Sequence, residues 1–166
     1  MKRVRTRIGD VFSVRLDERT KKYLQYVAND MSQLNSYVIR AFKKVYRIED
    51  APALVDVVAD EVDFYAHVVV KWGLKMGLWE KVGYVAEVGG LDVLFRDTND
   101  YGSGPNEEPV KLSKNWYIWR INEEFQHVGT LEGDNRRAEI GIVVAPPDIV
   151  DRMRTGKYKF VYPGFE

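Results

Sequence analysis

Two histidines, His67 and His127, are the only imidazoles in the chain, and it contains no cysteine. A hydrolytic metal centre gathers two or three histidine or carboxylate ligands at short, regular spacing. Neither HExxH, HxH nor a DxD-type arrangement occurs here. His67 lies inside the apolar run FYAHVVV and is expected to be a hydrogen-bonded core residue. His127, in FQHVG, is expected on the surface of a strand. The one serine set between glycines, Gly102-Ser103-Gly104, sits in a Pro- and acid-rich stretch with no helix after it. It lacks the strand-to-helix turn a nucleophile elbow needs and reads as a turn. No GxxxxGK[ST] or GxGxxG phosphate loop is present. Asp97-Thr98-Asn99-Asp100 carries part of a calcium-loop pattern, with Gly102 sixth and Glu108 twelfth from Asp97. Tyr101 stands fifth, where an oxygen ligand belongs, and no helices flank the segment. The residues therefore nominate no catalytic group, no metal and no cofactor.

Binding chemistry is better represented than bond-breaking chemistry. Four tryptophans, ten tyrosines and seven phenylalanines make 13% of the chain aromatic. Such side chains fill cores and also anchor protein interfaces. Trp116 and Trp119, on opposite sides of one apolar strand, are expected in the core. Trp79 follows two glycine-punctuated turns and precedes Glu80-Lys81, so it is the tryptophan expected to be partly exposed. The segment Asp97–Glu108 (DTNDYGSGPNEE) is the one long acidic loop, and loops of that length are often functional. Trp79, Asp97, Asp100 and Tyr101 are accordingly the candidate partner-binding residues.

Composition bounds the remaining classes. The 166 residues fit one domain, 45% are hydrophobic and 30% charged, and 25 basic residues balance 25 acidic ones. A neutral chain has no global footprint for nucleic acid. Locally, Lys2, Arg3, Arg5 and Arg7 open the chain, Arg40, Lys43, Lys44 and Arg47 form a second basic cluster, and an acidic stretch runs from Glu49 to Asp63. The basic Met1–Arg7 segment passes into Ile8–Asp10 without an apolar signal core, and the apolar stretch near Ala66–Val70 is far short of a membrane span. A cytoplasmic location is expected.

The elements that must position these residues follow from periodicity. Ile8–Leu16 alternates with period two and Tyr23–Ala28 can pair with it as a hairpin. Tyr37–Val45, Phe64–Val70, Trp79–Val85, Asn115–Ile121, Phe125–Leu131 and Glu139–Val144 read as further strands, and Lys159–Tyr162 as an edge strand. Helices are expected from about Pro52 to Asp60, over one turn ended by Gly77, and from Pro146-Pro147 through Thr155 with Gly156 as the stop. The expected fold is α+β: a mainly antiparallel, curled sheet or partly open barrel of seven or eight strands with two to three short helices.

Gly9-Asp10-Val11-Phe12-Ser13-Val14, followed by a polar turn and the YLQYV strand, resembles the opening of the immunity protein 26 family. Leu74-Lys75-Met76-Gly77-Leu78-Trp79-Glu80-Lys81-Val82-Gly83 is similar to a later region of that family. The resemblance covers roughly residues 8–85. It implies a cytoplasmic protein that binds and blocks a cognate bacterial toxin of a polymorphic toxin system. Some members carry a phosphotriesterase label, which implies a metal-dependent phosphoesterase as the alternative. A third reading, nucleic-acid binding by a small barrel through Arg40, Lys43, Lys44 and Arg47, is the weakest because the net charge is zero.

Overall fold

A computed structural model describes residues 3–102 and 106–166. The Gly102-Ser103-Gly104 turn therefore falls largely outside the described residues. The architecture is α+β, with antiparallel pairing dominant and, among the described residues, no closed barrel.

The first sheet has strand order β5-β3-β2-β1-β6. Its strands are β1 (Asp10–Arg15), β2 (Thr20–Asp30), β3 (Ser36–Phe42), β5 (Val62–His67) and β6 (Glu80–Tyr84), and the two-residue β4 (Tyr46–Arg47) pairs with β2. The hairpin expected from the alternation of Ile8–Leu16 is present, with Phe12 opposite Leu24 and Val14 opposite Lys22. Both faces of this sheet are covered. On one face Phe12, Leu24, Ile39 and Phe64 pack against Trp79, Ile149, Val150 and Met153. On the other, Val11, Tyr23 and Phe42 pack against Val57 of helix α1 (Leu54–Val57). Two-sided burial of this kind blurs strict alternation into continuous apolar runs.

The second sheet has order β10-β7-β8-β9, built from β7 (Leu94–Thr98), β8 (Trp116–Arg120), β9 (Gln126–Gly129) and β10 (Glu139–Ile140). β8 is interior, and Trp116 and Trp119 do enter different clusters on its two sides. Among the described strand pairs β10–β7 alone is parallel, beside two isolated parallel bridges, His67–Val143 and Leu112–Gly164. The sheets meet where Val27, Ala28 and Val38 pack on Phe95 and Trp119.

Three expectations need correcting. Phe64–Val70 is not one strand: β5 ends at His67, and Val70 begins helix α2 (Val70–Lys75). Glu139–Val144 is a strand for two residues only, after which Gly141 N–H donates to the Arg96 carbonyl (2.7 Å) and Val144 N–H to the His67 carbonyl (2.8 Å). Lys159–Tyr162 forms no strand; the C-terminal segment is irregular chain that packs Tyr162 and Phe165 on Trp116 of the second sheet and bridges through Gly164 to Leu112, in the connection before β8. Helix α3 (Pro146–Thr155) begins and ends as expected, with Gly156 in the left-handed region at φ 87°.

Candidate functional site

The buried His67 is part of a polar joint between the two sheets. Its Nε2–H donates to Asp30 Oδ2 (2.9 Å), and Trp119 Nε1–H donates to the same oxygen (2.8 Å). Asp30 Oδ1 accepts the Asn122 N–H (3.1 Å), the Ser32 N–H (3.3 Å) and the Ser32 hydroxyl (2.9 Å). With its proton on Nε2, His67 leaves Nδ1 bare, and that atom is buried without a partner. Burial lowers the His67 pKa below the ordinary value despite the opposing pull of Asp30. Burial alone would raise Asp30, but the bonds from His67, Trp119 and Asn122 outweigh it and leave the carboxyl lower than usual. The unit is a fully bonded carboxylate facing a neutral imidazole, with no nucleophile or open face. His127 is exposed on β9, as expected.

Asp97, Asp100 and Tyr101 are brought together, but as an internal tie rather than a free loop. Asp97 belongs to β7 and is buried. Its Oδ1 accepts the Tyr101 and Tyr162 hydroxyls and the Thr98 N–H, and its Oδ2 accepts the Tyr117 hydroxyl (3.1 Å). Burial, then the neighbouring carboxylate, raises all three phenol pKa values, Tyr117 to about 12. Asp100 Oδ2 accepts the Ser113 hydroxyl (2.9 Å) and the Asn115 amide (2.8 Å), and its N–H donates to Thr98 Oγ1 (3.2 Å). Asp97 is thus corrected from a loop position to a buried strand position, where four donors already occupy its oxygens. Asp100 and Tyr101 keep part of their surface. Among the described residues, no group of three or more His, Asp or Glu side chains converges to hold a metal ion.

Trp79 is the second correction. It is 4% exposed, its ring lies against Gly73 of α2, and its Nε1–H donates to the Val70 carbonyl (3.1 Å). A Cβ at Gly73 would overlap that ring, so glycine here makes room for a close approach. With Val70 and Gly73 buried and Leu74 half-buried, Lys71, Trp72 and Lys75 are left outward. Trp72 is 54% exposed and Met76, four residues on, 55%. Residues four apart are neighbours on a helix surface. Lys71 and Lys75 are exposed beside them and form no ion pair among the described residues. The α2–β6 connection also borders an open cavity of about 690 Å³ lined by Val4, Leu74, Leu78 and one edge of Trp79. The sequence did carry a signal for this patch. Once α2 is helical, Gly73 marks the packed side, and Trp72 and Met76 fall off it together.

The basic cluster does not make one exposed face. Arg40 is buried, donating to Gln25 Oε1 (2.9 Å) and to the Val58 (3.4 Å) and Glu87 (3.3 Å) carbonyls. Lys43 pairs with Glu61 (2.8 Å), and Arg47 with Glu49 (3.6 Å) and Asp50 (3.4 Å). No helix among the described residues is long and apolar enough to cross a membrane. No family model matches the chain, and neither a curated protein nor a solved structure matches it.

Proposed function

We propose that this chain is an immunity-type binding protein that neutralises a cognate bacterial toxin by covering part of its surface. The observation that carries the reading is the exposed Trp72–Met76 pair on α2, rimmed by Lys71 and Lys75. A tryptophan beside a flexible thioether is the composition of an interface anchor. The two uncompensated lysines suit an acidic partner face and would speed encounter with it. The family resemblance spans this same region, since Leu74–Gly83 includes the end of α2 and most of β6. The buried His67–Asp30 and Asp97–tyrosine clusters spend their polar groups on the fold, which leaves surface recognition as the chemistry α2 offers.

The test is capture from the native host with a tagged chain, followed by co-expression of the captured protein in a growth assay. One stoichiometric partner, toxic alone, should be neutralised by the wild-type chain. Trp72→Ala should lose retention and protection together while unfolding at the wild-type temperature. Full protection by Trp72→Ala, or a captured protein without toxicity, would overturn the reading.

A further inference from the structure

A second cavity lies between β10, the C-terminal end of α3 and the irregular C-terminal segment. Its volume is about 460 Å³, within the range of small-molecule sites. Four cations line it (Arg96, Arg137, Arg152 and Lys157) against one carboxylate, Glu139. In a chain whose net charge is zero, that is a strong local excess.

Several donors on this wall are unspent. One Arg96 Nη donates to the Ala138 carbonyl, while Arg96 Nε is buried without a partner. The Arg96 guanidinium is fixed over the Trp116 (5.4 Å) and Phe165 (5.0 Å) rings. Arg152 is held over Phe64 (4.1 Å) and Tyr158 (4.7 Å), and its approach to Glu139, at 3.8 Å, is too long for a hydrogen bond. The Tyr158 hydroxyl is buried beside Arg152, and its proton has no acceptor. Buried donors without acceptors are costly to leave, and two guanidiniums held by aromatic faces are preorganised forks for an oxyanion. The remaining wall is aromatic: Tyr158 and Phe160 stack at 4.7 Å, with Tyr162 next to them.

We propose that this cavity is a binding site for a small organic oxyanion, a phosphate or carboxylate group on a flat apolar body. The oxyanion sits between Arg96 and Arg152, takes the Tyr158 hydroxyl hydrogen bond and displaces the loose Glu139 contact. The apolar body lies along Tyr158 and Phe160. Burial raises the Glu139 pKa above the ordinary carboxylate value despite Arg152, which eases its displacement. The site does not depend on the toxin reading, because α2 contributes nothing to it.

Calorimetric titration of the whole chain at low salt, with phenyl phosphate, benzoate and inorganic phosphate as probes, tests this. Saturable one-to-one binding of phenyl phosphate or benzoate is expected, and the tighter of the two identifies the oxyanion. Tyr158→Phe removes a hydroxyl whose proton has no acceptor, so it should keep the fold and bind roughly 10-fold more weakly. Arg152→Met should weaken binding by a further order of magnitude. No saturation at millimolar probe, or equal affinity in both variants, would overturn the site. Inorganic phosphate binding as tightly as phenyl phosphate would overturn the organic part of the assignment.

Discussion

Replacing Asp30 by asparagine isolates the joint between the sheets. The side chain keeps its size but exchanges one acceptor oxygen for an NH2 group. If that group takes the Oδ2 position, it faces Trp119 Nε1–H and His67 Nε2–H, which now lie 2.8 and 2.9 Å from an acceptor. His67 can move its proton to Nδ1 and accept, but indole has no such option and Trp119 is left as a buried unpaired donor. If the amide flips, the Asn122 and Ser32 N–H groups lose their acceptor instead. Hydrogen bonds to a charged group contribute about 1.5–3 kcal/mol each, and breaking a buried charged unit costs about 3–5 kcal/mol. Relief of carboxylate desolvation offsets part of this, so we expect a loss of about 3 kcal/mol for Asp30→Asn. Urea unfolding followed by tryptophan fluorescence reads it as a midpoint shift of about 1.5 M for a slope near 2 kcal/mol/M. Trp119→Phe in the asparagine background should cost less than in the wild type, because it removes the orphaned donor. A loss under about 1 kcal/mol, or full additivity, would refute this account of the joint.

Acid should weaken the fold through His67. Its folded pKa lies below the unfolded value of about 6.5, so the unfolded chain takes up the proton first and stability falls as pH drops through that value. As pH falls through about 6.5 the wild type should lose more stability than His67→Gln, which donates to Asp30 without titrating; parallel curves would contradict this. Asp30, whose folded pKa is also lowered, adds a further loss at lower pH, as the solution falls through the ordinary carboxylate range. Gly73→Ala should destabilise by about 1–3 kcal/mol in thermal unfolding, since overlap with the Trp79 ring exceeds the gain in helix propensity of about 1 kcal/mol. Trp72→Ala, by contrast, should leave stability within about 0.5 kcal/mol of wild type.

Local chemistry was legible wherever a single segment decides its own form. The β1–β2 hairpin follows from alternation, the interior place of β8 from apolar residues on both faces, and α3 from Pro146-Pro147 at one end and Gly156 at the other. Segments whose form depends on distant neighbours were not legible. Val68, Val69 and Val70 have strand composition, and Val68 N–H still bonds the Tyr37 carbonyl beside β5, yet the chain then turns into α2, whose Gly73 packs on the distant Trp79 ring. The acids of the Asp97 loop looked solvent-directed because their acceptor role depends on Tyr117 and Tyr162, 20 and 65 residues away. The Asp30 joint spans 37 residues to His67 and 89 to Trp119, beyond any pattern of spacing. Likewise the cations of the second cavity come from β7, the turn before β10 and the end of α3, and only the fold makes them neighbours.

The packing of α3 has a consequence for how the chain is made. Strands β1, β2, β3 and β5 lie within residues 10–67 and pair antiparallel along the sequence, so they can associate early in synthesis. Their inner face, with Phe12, Leu24, Ile39 and Phe64, is closed by Ile149, Val150 and Met153, which leave the ribosome some 80 residues later than β5. Until then the nascent sheet carries a bare apolar face, the kind of surface holdase chaperones engage. A chain ending before residue 146 retains that face permanently, and its expected fate is aggregation or degradation rather than a smaller working protein.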